Sequence, residues 1–148
     1  MSKRQIVALL ALVGLLIAIY LTLYKAGAIA ELACSVGSCE TVQMSRWATF
    51  LGLPVAAWGI AFYVALLTLA LASLQGGLVD SRAVSVALVA VTGWGVLFSA
   101  WLTYLELFVI HAICQWCVVS ALLVTIAFVI AWLDLRDQRR SSETSVLA

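Results

Sequence analysis

Charge is the scarcest feature of this chain. Charged residues make up 10% of its 148 positions, with 8 Lys+Arg, 7 Asp+Glu and a single His. A soluble domain has about 25% charged residues, so this chain cannot cover a water-facing surface. The composition excludes a disordered chain and a heptad coiled coil, and a net charge of +1 gives no basis for nucleic-acid binding. Hydrophobic residues reach 66%, which indicates an integral membrane protein.

Four long stretches contain no charged residue at all: Gln5–Tyr24, Trp47–Val79, Ala83–Leu105 and Leu107–Leu133. A bilayer core about 30 Å thick requires about 20 helical residues, so each stretch predicts one transmembrane helix. The predicted fold is an all-α integral membrane protein, a four-transmembrane-helix bundle. The first run is longer than the apolar region of a signal peptide, which favours a retained helix. The predicted single domain covers 1–148, with spans at about 5–26, 54–75, 83–106 and 113–134 and a polar cytoplasmic tail at 135–148.

Basic residues predict the orientation of the four spans. The side that holds both termini carries Lys3, Arg4, Arg82, Arg136, Arg139 and Arg140. The opposite side carries Lys25 and Arg46. By the positive-inside rule, the termini are predicted to be cytoplasmic and connections 1–2 and 3–4 to face outward.

The connection between the first two spans is the longest polar segment, from about Lys25 to Arg46. It is followed by the apolar stretch Trp47–Leu51, predicted to be a short amphipathic segment lying back on the bundle. The only proline, Pro54, suits the first turn of a helix and marks the start of the second span. We therefore expect an outward loop folded over the mouth of the bundle.

The four cysteines form two pairs, and both pairs fall on the outward side. Cys34 and Cys39 lie in the outward loop, and Cys114-Gln-Trp-Cys117 opens the fourth span. The outside of a bacterial inner membrane permits disulfides, as does the lumen of the secretory pathway. The positive end of a helix lowers the pKa of a thiol, and the thiolate is the attacking species in disulfide exchange. A loop pair can reach an aqueous partner, whereas a pair on a span can reach a lipid-soluble one.

Less specific interpretations of the cysteines stay open at this point. The Cys-x-x-Cys thiols could be small side chains packed in the bundle. Four thiolates could bind zinc, although the spacing of Cys34 and Cys39 is at the edge of the usual range, and no metal site is predicted. The chain could also be a non-enzymatic tetraspan protein with structural disulfides, which resist reduction. Haem attachment is excluded because Val118 stands where a His is required.

The order of these features resembles the vitamin K epoxide reductase family in its single-domain bacterial form. The resemblance covers about residues 10–135. It rests on Tyr20–Tyr24, Cys34–Gln43, Ser45–Ala48, Gly52–Pro54 with Trp58-Gly59, and Cys114–Cys117. An unrelated DsbB-type quinone-linked oxidase would have its two cysteine pairs in the reverse order.

The resemblance implies a quinone-dependent thiol oxidoreductase that generates disulfides. Electrons would pass from a separate thioredoxin-like (DsbA-like) periplasmic protein to the Cys34–Cys39 disulfide. A bridge between Cys39 and Cys114 would carry them to the Cys114–Cys117 pair, and Cys117 would deliver them to a membrane quinone (menaquinone, phylloquinone or ubiquinone). The implied location is the bacterial inner membrane, with the redox cysteines facing the periplasm.

The resemblance also assigns further site residues. Ser45 matches the family's essential hydroxyl, six residues after Cys39, and is expected to hydrogen-bond near the redox pocket. The alternative is a cap of the Trp47 segment. Residues expected at the quinone are Cys117, Trp47, Trp58, Trp116, Val55 and Ala121. The tryptophans could equally be interfacial residues. Val55 and Ala121 replace an Asn and a Tyr of the animal enzymes, which favours plain quinone reduction over epoxide reduction.

Quinone reduction also requires protons, and two residues near the outer end of the third span could relay them. These are Glu106 and His111, the latter because His titrates near neutrality. The alternative is that both are solvated interfacial residues. Arg46, which follows Ser45, could lower the pKa of a nearby thiolate or contact lipid phosphate.

Overall fold

Four long helices form the bundle in the computed structural model, which describes residues 1–148. They are α1 (Lys3–Lys25), α3 (Val55–Ala72), α4 (Arg82–Leu105) and α5 (Gln115–Leu147), with the short helix α2 (Cys39–Met44) in the loop after α1. By length and composition, each of the four, with α4 continued to Ile110, can cross a membrane. The predicted all-α four-helix membrane fold is confirmed.

Helix α1 occupies the centre of the bundle, since it packs against both α3 and α5, while α4 packs mainly against α5. Small residues on α1 allow this close approach. Gly14 faces the ring of Tyr63, and a Cβ at Gly14 would lie 2.2 Å from that ring. Large apolar side chains such as Trp94 and Leu97 point outward. This distribution suits helices whose outer surface faces lipid.

Helices α4 and α5 both extend further than the charge-free runs. After Leu105 the chain makes one π turn (Glu106–Ile110) and stops at His111, whose φ of 55° is left-handed. Helix α5 continues through the stretch after residue 134, which was predicted to be a polar tail, as far as Leu147. No Gly or Pro interrupts that stretch. The hydroxyls of Ser141, Ser142 and Thr144 donate to carbonyls one turn back, as helical hydroxyls can.

A buried arginine ties the helices together at the end of the bundle that holds both termini. Arg4 Nε donates to Asp134 Oδ2 on α5 at 3.1 Å. Its other nitrogens donate to the carbonyl of Ser73, just after α3, and to Ser85 Oγ on α4, both at 2.8 Å. We call this group (Arg4, Ser73, Ser85 and Asp134) the arginine end.

The connection from α1 to α3 folds over the opposite end of the bundle. After α2 it makes one 3₁₀ turn (Arg46–Ala48) and then a hairpin of β1 (Thr49–Phe50) and β2 (Leu53–Pro54). Leu51 and Gly52 both have positive φ at the tip, as a tight hairpin turn requires. The segment Trp47–Leu51, expected to be amphipathic, is therefore part of a turn and a hairpin. Trp58 Nε1 donates to the Phe50 carbonyl at 3.0 Å and fixes the hairpin to α3.

Candidate active site

All four cysteines lie at the end of the bundle over which this loop folds, Cys34 and Cys39 in the loop itself and Cys114 and Cys117 at the start of α5. Cys34 and Cys39 form a disulfide, whereas Cys114 and Cys117 are free thiols. Cys34 is half-buried, but Cys39 and Cys114 are 1% and 0% exposed and share one buried cluster. With Cys34 and Cys39 joined in a disulfide, only two of the four cysteines are free thiols, whereas the four-thiolate zinc site considered above needs all four. We call this group (Cys34, Cys39, Cys114 and Cys117) the cysteine end.

Backbone hydrogen bonds hold the loop against the start of α5. Gly37 and Cys114 form an antiparallel bridge, in which Ser38 N donates to the Ile113 carbonyl at 2.7 Å. The side chain of Gln115 accepts from the next two loop amides upstream, at 3.0 and 3.1 Å. Gly37 has a φ of +88°, and a Cβ there would lie 2.3 Å from the Ile113 oxygen. Only glycine allows the loop to approach this closely.

Trp116 contacts the loop rather than the space inside the bundle. Its Nε1 donates to the Ala33 carbonyl at 2.9 Å, and the Tyr20 hydroxyl accepts from Ala33 N at 2.8 Å. The Tyr20 and Trp116 rings pack edge-to-face with centroids 5.6 Å apart. Trp116, which the sequence predicted at the quinone, is thereby placed against the loop because its indole N–H satisfies a loop carbonyl.

A cavity of about 490 Å³ lies beneath the loop, between α3 and α4, and most of its lining is apolar. Among the predicted quinone contacts, Cys117, Trp47, Trp58 and Val55 line it, and so does Ser45. Ala121, like Trp116, does not line it. The cavity reaches Trp94 on the outer surface of α4, so it extends toward the lipid-facing side of the bundle.

The buried amide of Gln43 lies between the two free thiols. Its Nε2 is 4.0 Å from Cys114 Sγ and 3.7 Å from Cys117 Sγ, and Lys25 Nζ donates to its backbone carbonyl at 2.7 Å. The Cys117 thiol, donating to Cys114, lowers the pKa of Cys114 to about 7, and the Gln43 amide adds to this effect. Sequence reasoning gave Gln43 no role. Its spacing of four residues from Cys39 on one helix face was the available signal.

Glu106 is also brought into the site, at the first position of the π turn after α4. Its side chain is 5% exposed, its Oε2 accepts from Cys114 N at 3.1 Å, and it lines the cavity beside Cys117. His111 is exposed at the end of the same turn. The structure thus separates the two residues considered for proton transfer, and the relay itself remains a prediction.

The other polar side chains at this end contact neighbouring backbone or side-chain groups. Ser45 Oγ donates to the Val42 carbonyl at 2.8 Å and closes α2, and it makes no side-chain cap on the 3₁₀ turn. Tyr63 and Ser120, which sequence reasoning did not single out, lie 2.6 Å apart and both line the cavity. Arg46 lies over the Trp47 ring, 4.9 Å from its centroid.

A disulfide in a loop, two thiols at a helix start directly beneath it and a four-helix membrane bundle together define a membrane thiol oxidoreductase. Residues 5–132 match the model of the vitamin K epoxide reductase family. The chain belongs to that family and is a multi-pass membrane protein. Members of the family use quinones as electron acceptors.

Proposed function

We propose that this protein oxidises the thiols of a separate thioredoxin-like periplasmic protein and reduces a membrane quinone. The supporting observation is the arrangement of the four cysteines from the loop to the bundle interior. Cys34 is accessible, Cys39 and Cys114 are buried together, and Cys117 lines an apolar cavity. The sulfurs therefore form an ordered path from water to the bundle interior.

The first exchange takes place at Cys34, the sulfur that an aqueous protein can reach. A thiolate of the reduced partner attacks Cys34 Sγ, and Cys39 leaves as a thiolate. The partner's second thiolate then breaks the mixed disulfide and releases Cys34. The partner has lost two electrons as its disulfide forms, and the loop pair has become a dithiol.

The second exchange passes the electrons inward when the Cys114–Cys117 pair is oxidised. Cys39 attacks Cys114, forms an interpair bridge and releases Cys117. Cys34 then attacks Cys39 and restores the loop disulfide, which leaves Cys114 and Cys117 as the thiols seen in the structure. The short contacts between the loop and the start of α5 keep these sulfurs adjacent.

The cavity suits a quinone ring in size and chemistry. Ligand pockets of about 300–1,000 Å³ with apolar and aromatic linings and a few polar groups are typical of small-molecule sites. Here Trp47, Trp58 and Val55 supply apolar surface, and Ser45 and Cys117 line the same cavity. A bound quinone accepts two electrons and two protons. The gap between α3 and α4 gives it a route from the lipid.

The orientation follows from the two ends of the bundle. Six of the eight basic residues lie toward the arginine end and both termini, which places that end in the cytoplasm. The cysteine end then faces the periplasm of a bacterial inner membrane, where disulfides are permitted.

Quinone reduction by the purified protein in detergent tests this function. Reduced thioredoxin-like protein serves as the donor, and a short-chain ubiquinone or menaquinone as the acceptor. We expect Cys34→Ala and Cys117→Ala to abolish turnover with the protein donor. Cys34→Ala should still oxidise a small permeant dithiol, whereas Cys117→Ala should not.

Ser35→Ala, an exposed change next to Cys34 in the loop, is the matched control and should behave as the native protein. The proposal fails if the native protein reduces no quinone with any thiol donor. If in addition the Cys34–Cys39 disulfide survives mild reductant, the cysteines are structural.

A further inference from the structure

Glu106 is a buried carboxyl without a cationic partner. The two ion pairs of the structure, Lys3 with Asp137 and Arg4 with Asp134, lie at the arginine end. Glu106 is the only carboxyl that lines the cavity, which Cys117 also lines, and its side chain interacts with that of Cys117. Buried ionisable groups that are not neutralised by a partner are expensive in a membrane and mark functional sites. This residue therefore requires a chemical explanation.

The π turn sets the position of the Glu106 carboxyl. Single π turns are found frequently at functional sites. Here the turn ends at His111, and the Glu106 backbone carbonyl accepts from Ala112 N at 3.1 Å. The side-chain Oε2 accepts from Cys114 N at 3.1 Å. One hydrogen bond thus fixes a carboxylate oxygen at the start of α5, while the group remains open to the cavity.

We propose that the Glu106 carboxylate is a catalytic residue that takes the proton of the Cys117 thiol and passes it to the quinone. This role rests on the proposed function. When the Cys114–Cys117 disulfide forms, the two sulfurs lose two electrons and two protons in total, and the quinone gains the same number. The proton of Cys117 travels through Glu106. The proton of Cys114 goes to solvent, and an equivalent proton reaches the quinone from solvent.

The other groups around the two thiols cannot take this proton. Gln43 on α2 is a neutral amide that donates toward both sulfurs. Lys25 of α1 is held by the Gln43 carbonyl. Tyr63 of α3 is a neutral phenol that is hydrogen-bonded to Ser120 of α5. Glu106 is the only carboxylate that lines the cavity together with Cys117.

The variant Glu106→Gln separates proton transfer from positioning. Its amide oxygen can still accept from Cys114 N, but the side chain cannot accept a proton. We expect quinone reduction to fall about 100-fold, within the range for loss of a general base, and Glu106→Asp to recover part of the rate. Glu31→Gln, an exposed change in the loop between α1 and α2, is the matched control.

A titration without quinone gives a second readout. The thiolate absorbance of Cys114 and Cys117 is followed against pH with the Cys34–Cys39 disulfide intact. Removal of a neighbouring negative charge lowers a thiol pKa. We therefore expect the first thiol midpoint, near pH 7 in the native protein, to move about one unit lower in Glu106→Gln.

Unchanged quinone reduction in Glu106→Gln would show that Glu106 only positions Cys114. An unchanged midpoint would show that Glu106 is already protonated and cannot accept a proton, which also overturns the proposal. If the native protein reduces no quinone, the proposed function and this role fail together. If the native protein reduces quinone and Glu106→Gln reduces it at the same rate, the role of Glu106 fails and the proposed function stands.

Discussion

The two ends of the bundle differ in whether their buried charged side chain has a partner of opposite charge. At the arginine end, Arg4 is paired with Asp134, and its remaining donors are bound by a carbonyl and a hydroxyl. At the cysteine end, Glu106 has no cation and shares its surroundings with two free thiols and a cavity. Closed polar networks fix a structure. A carboxyl with a free acceptor oxygen beside an open cavity, such as Glu106, is available for reaction.

The largest expected effect is a loss of stability when Arg4 of the arginine end is replaced. Arg4→Met leaves the half-buried Asp134 carboxylate without its partner, and loss of one member of a buried pair costs up to about 3–5 kcal/mol. Thermal unfolding in detergent should show this loss, while the protein that remains folded keeps its quinone reduction. Arg82→Met, an exposed change at the same end, is the control.

The double variant Arg4→Met/Asp134→Leu should recover most of the stability of the arginine end, because no unpaired charge remains. If Arg4→Met removed activity without a change in unfolding, the two ends would be coupled and the contrast between them would be wrong.

A smaller effect is expected where the loop meets α5. Gly37→Ala places a Cβ against the Ile113 carbonyl at a positive φ, with a penalty of about 1–3 kcal/mol from the backbone alone. The loop should move off α5, and hydrogen exchange at the Ser38 amide should accelerate because its bond to Ile113 is lost.

Gly27→Ala isolates the contribution of the contact made by Gly37. Gly27 has a φ of +84°, but nothing lies within 4 Å of a Cβ there. Equal exchange of the Ser38 amide in the two variants would mean that close approach of the loop to α5 is unimportant.

A smaller effect than that of Gly37→Ala is expected on the pKa of the Cys114 thiol when Gln43 is replaced. The Gln43 amide donates to Cys114 and favours its thiolate, so Gln43→Leu should raise the Cys114 pKa from about 7. One hydrogen bond to a thiolate is worth about 1 kcal/mol, which predicts less thiolate at neutral pH and a midpoint about 0.7 unit higher. Gln75→Leu, exposed at the arginine end, should leave the titration unchanged. A downward shift would contradict the donor role of Gln43.

An effect of similar size is expected at Ser45. Its hydroxyl donates to the Val42 carbonyl, so Ser45→Ala removes one hydrogen bond, worth about 0.5–1.5 kcal/mol. We expect quinone reduction to fall by up to about tenfold as α2 loosens, and Ser45→Thr to restore it. Ser38→Ala is the control, because the Ser38 side chain makes no cap hydrogen bond on α2. An unchanged rate in Ser45→Ala would remove this hydroxyl from the site.

The positions of the four cysteines at the cysteine end were predictable from sequence, but the side chains packed around them were not. The spacing of Cys114 and Cys117 predicted two cysteines at a helix start, and Trp58 and Val55, predicted as quinone contacts, line the cavity. Trp116 was expected there but contacts the loop. Which side of a helix start faces the cavity depends on how the loop lies over it, and no local pattern carries that information.

The sequence by itself determined that this is a four-helix membrane protein with its cysteines at one end. Charge-free length and the spacing of cysteines are local properties, and a bilayer converts them directly into helices and sides. Only the tertiary structure decided that Gln43, 71 residues from Cys114, lies against its sulfur. It also decided that Glu106 is buried without a cation and that Arg4 is an internal tie. Such contacts join separate helices, and helix packing fixes them.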